Sequence, residues 1–100
     1  MQNHHEVLKK IQKECKNIGP TCANYLYNAK IFSLTDLQKF TAEEALFKIW
    51  ENNGHNPKFV HTCFLYAIEG AITNTDFGKI PLDRREVLKK FSREWRDSFK

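Results

Sequence analysis

Residues 17–37 read Asn17-Ile18-Gly19-Pro20-Thr21-Cys22-Ala23-Asn24-Tyr25-Leu26-Tyr27-Asn28-Ala29-Lys30-Ile31-Phe32-Ser33-Leu34-Thr35-Asp36-Leu37. An amphipathic segment runs into this stretch and ends near Lys16-Asn17. Pro20 then opens a second helix, because its missing N–H has no partner to lose at a first helical position. Gly19 relieves the turn of side-chain clashes. Two short helices joined by a tight loop with an apolar residue and a glycine spell a helix-hairpin-helix. Such a loop offers backbone amides and dipoles to a phosphate, and it carries no catalytic chemistry.

Outward from the hairpin, helical periodicity continues to both ends. Val7, Leu8, Ile11 and Cys15 recur at helical spacing and predict a first helix over about residues 4–15. Ala23, Leu26 and Ala29 form the inner side of the second helix, with Tyr25 or Tyr27 at its rim. Ser33 or Thr35 caps a short third helix holding Leu34, Leu37 and Phe40. Thr41 and Glu44 make a capping box for a fourth, with Ala45, Leu46, Ile49 and Trp50 inward. Asn52-Asn53-Gly54 stops it. Asn56-Pro57 is expected to open a fifth, the most apolar, from Phe59 to Ile72. A helix apolar on most sides is the buried centre of a domain. Thr73–Gly78 reads as a loop, and Pro81 introduces a last helix with Val87, Leu88, Phe91, Trp95 and Phe99 as its stripe. No alternating strand pattern persists. The expectation is one all-α domain over residues 1–100, with five or six helices around Leu26, Phe64, Ala67 and Leu88.

One hundred residues, 41% of them apolar, are enough for one core. No apolar run approaches the ~20 residues that span a bilayer. The first residues lack a signal-peptide pattern, so a cytoplasmic protein with no membrane contact is expected. The net charge of +4 is uneven. Residues 1–34 carry five lysines against Glu6 and Glu14, residues 35–78 hold an acidic excess, and residues 79–100 carry eight basic groups against four acidic ones. Basic ends permit a nucleic-acid face.

Three blocks, in order and spacing, resemble the C-terminal domain of the TfoX/Sxy family of competence regulators over about residues 15–90. They are Asn17-Ile18-Gly19-Pro20 with Ala29-Lys30-Ile31 and Leu34-Thr35-Asp36-Leu37, then Phe64–Ile72 with its Glu69-Gly70-Ala71, then Asp76-Phe77 followed by Ile80-Pro81. Phe77 stands where the family usually has Trp. Lys30 stands where the family tends to end a helix with glycine. A left-handed Lys costs ~1 kcal/mol, so this helix is expected to end differently. Full-length members also carry an N-terminal domain, of which these residues show no counterpart. The resemblance implies a non-enzymatic role in DNA-uptake competence or its transcriptional control, exercised with partner regulators.

Lys13, Lys16, Asn17, Ile18, Gly19 and Thr21 are the candidate nucleic-acid contacts. Asn17 takes a turn position usually held by glycine, and Asn tolerates the left-handed region. The amides of Ile18, Gly19 and Thr21 face a phosphate in this reading, with the two lysines adding charge. The alternative is a structural corner, in a domain that binds a transcription or competence factor and no DNA. Trp95 and Phe99 are the candidate partner contacts. They bury either on the first helix, against Val7, Leu8 and Ile11, or across a two-fold axis in a homodimer. Cys15, Cys22 and Cys63 read as reduced, buried small hydrophobes. His61 and Cys63, two apart on a helix, cannot chelate one ion together. No catalytic residue, metal site or cofactor is expected. Glu69 is expected to pair with Arg84 or Arg85, and Gly70 to admit a close helix.

Overall fold

The computed structural model describes residues 3–56, 59 and 61–98. It contains six α-helices: α1 His4–Glu14, α2 Pro20–Asn28, α3 Leu34–Leu37, α4 Ala42–Asn52, α5 Thr62–Thr73 and α6 Leu82–Asp97. A 3-10 turn, Phe77–Lys79, precedes α6. Among the described residues there is no strand, as the uniform helical periodicity predicts.

Each start has a local cause. The Asn3 side chain accepts the Glu6 N–H ahead of α1, and Ser33, rather than Thr35, accepts the Asp36 N–H ahead of α3. Thr41 and Glu44 form the full capping box of α4. The α5 start differs from the expected one. His61 caps it, its Nδ1 accepting the Cys63 N–H at 3.2 Å, and the helix begins at Thr62. The Asn56 carbonyl instead accepts the Phe59 N–H. Pro57 lies outside the described residues.

The helix ends are equally specific. α2 closes with Lys30 at φ 63°, its N–H on the Tyr27 carbonyl and the Ile31 N–H reaching back to Leu26. This is a Schellman motif, and it corrects the expectation that Lys30 would avoid the left-handed region. The two capping bonds and burial of Ile31, 1% exposed, outweigh the strain of a left-handed Cβ. α5 ends the same way at Asn74, φ 56°, with the Thr75 N–H on the Gly70 carbonyl. Asn53 ends α4 and ties it to α2. Its amide donates to the Tyr25 and Ile49 carbonyls and accepts from Asn28.

The core contains Ile11, Leu26, Leu37, Leu46, Ile49, Leu65, Ile68 and Leu88, all fully buried. α5 sits between α4 and α6, and α1 packs on α2. Leu26 and Leu88 are buried as expected, but Phe64 and Ala67 are only half-buried. The inward face of α5 is Leu65, Ile68 and Ala71, one residue further on. On α6, Val87 is 50% exposed and leaves the expected stripe, while Leu88 is its buried anchor. Trp95 packs on α4, its ring 6.0 Å from Phe47 and 5.5 Å from Trp50.

Arg84 of α6 joins three helices. Its guanidinium pairs with Glu43 of α4 and lies 3.1 Å from Glu69 of α5, all three being partly buried. Partial burial works against the charged guanidinium, but the bonds from Glu69 and Glu43 more than offset it and raise the Arg84 pKa. The expected Glu69 partner is therefore Arg84. Arg85 turns away and donates to the Ile80 carbonyl.

Candidate functional site

The turn between α1 and α2 is built around Asn17. Cys15 leaves the helix in an extended conformation, and Asn17 takes φ 67°. Asn is among the few non-glycine residues that adopt this region readily. Ile18 then drops its side chain into the core at 6% exposure. Gly19 follows with φ −93° and ψ −174°, which any residue adopts. A Cβ on Gly19 would meet nothing within 4 Å, so it does not relieve a clash, contrary to the sequence reading. What Gly19 leaves is an open approach to the backbone where α2 begins. No side chain caps that end, and Pro20 occupies its first turn. Its remaining amide dipoles are the positive end of α2.

The same turn is held from 58 residues away. Asn17 Nδ2 donates to the Thr75 carbonyl at 3.0 Å. A Cβ on Gly70 would overlap the Asn17 amide and come within 2.5 Å of that carbonyl. Gly70 does serve a close approach, but of this turn and its own helix end rather than of another helix.

Docking of residues 73–80 changes the charge around the corner. Lys16 Nζ lies 3.4 Å from Asp76, and Lys79 Nζ lies 3.8 Å from the other oxygen of the same carboxylate. All three groups remain well exposed, and pairs of this kind contribute only ~0–1 kcal/mol. Lys13 stands exposed in the last turn of α1, where a cation also suits the helix dipole. Thr21 is exposed in the first turn of α2. The structure thus places Lys16, Asn17, Gly19 and Thr21 at one corner and turns the Ile18 side chain away. It adds Asp76 and Lys79, which the sequence reading missed. Their only local signal was the i,i+3 spacing of Asp76 and Lys79.

The cysteines differ from one another. Cys15 is buried, Cys22 half-buried against the core, and Cys63 exposed, which corrects its assignment to the interior. Burial, with Glu14 adding to it, raises the Cys15 thiol from 9.0 to about 11. Burial, with Cys15 adding to it, raises Cys22 to about 12. Both thiols therefore stay protonated at neutral pH, which makes them poor nucleophiles as they stand. Among the described residues no three His, Cys, Asp or Glu side chains gather to hold a metal ion. No helix there is long and apolar enough to cross a membrane. Phe99 lies outside the described residues. Trp95 is half-buried in a cluster with Phe47, Trp50 and Phe91.

These features define an all-α module with a tight, lysine-flanked turn at the start of its second helix. The chain belongs to the TfoX C-terminal domain family, whose model matches residues 6–92. Comparison with curated proteins and with solved structures found no match.

Proposed function

We propose that this domain is a non-enzymatic regulatory module of the competence system, working in the cytoplasm, and that it holds the phosphate backbone of duplex DNA at the α1–α2 corner. The observation that carries this reading is the open, uncapped start of α2 beside Lys16 and Lys79. A phosphate oxygen accepts from backbone amides there, at the positive end of the helix dipole. Lys13, Lys16 and Lys79 supply counter-charge. The phosphate displaces Asp76 from its weak exposed pairs, because charge-assisted bonds to phosphate are the stronger ones. No base-reading element is involved, so binding is independent of sequence.

The second reading makes the corner purely structural and gives the domain a transcription or competence factor as its partner. Pairing of Lys16 with Asp76 favours it, since it lowers the positive potential.

Duplex-DNA titration at two salt concentrations separates them. Three lysine contacts predict a slope of log affinity on log salt of about −2.7, and loss of one contact reduces it by about one unit. Lys16→Glu/Lys79→Glu should therefore abolish measurable binding, while Asp76→Asn should tighten it. Affinity unchanged in the double variant would make the corner structural.

A further inference from the structure

Phe40, Phe47, Phe91 and Trp95 line two adjoining concavities along the seam of α4 and α6, of about 450 and 400 Å³, which share Phe47 and Phe91. Phe47 is 47% exposed, and Val87, one turn before Phe91 on α6, is 50% exposed. Together they extend the apolar surface along the seam. Patches of this kind on soluble domains mark contact surfaces. We propose that this strip is the contact between two copies of this chain, related by a two-fold axis.

Charge selects the occupant. The chain carries +4, so two copies repel unless they meet where both signs are present. The strip has such flanks. Glu43 and Glu44 share its α4 side with Lys48, and Glu43 is answered by Arg84. On α6, Glu94 lies 4.0 Å from Lys90, both well exposed. A DNA backbone needs a flank of one sign, which this one is not. A two-fold contact brings each patch against its own copy, so residue i meets j and j meets i. Antiparallel α6 helices then place Lys90 against Glu94 of the partner subunit, and Glu94 against the partner's Lys90. The aromatic floor closes between them, with Trp95, of a residue type enriched at the centre of interfaces, in its middle. This contact does not depend on the DNA reading.

Sedimentation equilibrium of the full chain, from low to high micromolar concentration and without nucleic acid, tests it. The expected result is a mass rising from 11.8 kDa toward twice that value. Lys90→Glu should weaken the dimer at least ~tenfold by setting like charges together, and Lys90→Glu/Glu94→Lys should restore it. Both positions are solvent-exposed, so the fold is not at stake. Phe47→Ala, checked for unchanged helix content by circular dichroism, should also give monomer. A wild-type chain that stays at 11.8 kDa throughout overturns the proposal and leaves the strip to a different protein. A dimer insensitive to Lys90→Glu overturns it as well, because the contact would then lie elsewhere.

Discussion

Lys30 shows how a single residue can oppose its own backbone. It ends α2 at φ 63°, where a side chain is strained and glycine is not. Lys30→Gly should therefore stabilise the domain by up to ~1 kcal/mol, less the greater freedom glycine adds to the unfolded chain. A urea melt of the variant gives the sign, and a loss of stability would mean that the lysine stem contributes packing. Ala29-Lys30-Ile31 suggested a different helix end, because strain at Lys30 was legible and burial of Ile31 was not. The thiols obey the opposite logic. Folded Cys15 and Cys22 keep their protons up to about 11 and about 12, while unfolded thiols release theirs near 9.0. Their stabilisation is full below pH 9 and is lost as pH rises through that window, at up to ~1.4 kcal/mol per pH unit for each thiol. Melts below and above pH 9, compared with Cys15→Ala/Cys22→Ala, should show a steeper alkaline loss in the wild type. A thiol reagent at mildly alkaline pH should label exposed Cys63 first.

Among the helices, α4 was the most legible, because the Thr41–Glu44 box and the Asn53 stop are local chemistry. α5 was the least. Its apolar residues occur on most sides, so periodicity could not choose between Phe64 and Leu65 as the inward residue. α6 and the helices it touches settle that choice, and no spacing within α5 records it. The same three-helix arrangement makes Arg84 costly to remove. Arg84→Ala leaves Glu43 and Glu69 facing one another, partly shielded from water, without their shared cation. The expected destabilisation is ~1–3 kcal/mol, below the value for a fully buried pair because water reaches all three groups. Arg84→Ala/Glu69→Gln should recover part of it. An unchanged denaturation midpoint in the single variant would make the cluster a surface feature with no structural weight.

Over the whole molecule, the all-α architecture and most helix bounds were readable, since each rests on caps and stripes within a few residues. The candidate site was half readable. Asn17-Ile18-Gly19-Pro20 announces a turn, but nothing in the chain order tells that Thr75, Asp76 and Lys79 arrive beside it. That arrival follows from the length of α5 and the direction in which Asn74 releases the chain. It has a consequence for modularity. Because the Thr75 carbonyl and the bare Cα of Gly70 hold Asn17 in place, the corner is not a portable cassette. Excised with α1 and α2 alone, or grafted onto another scaffold, it would lose the clasp that sets its shape. Evolution can therefore retune this corner from α5, through positions that never approach whatever the corner holds.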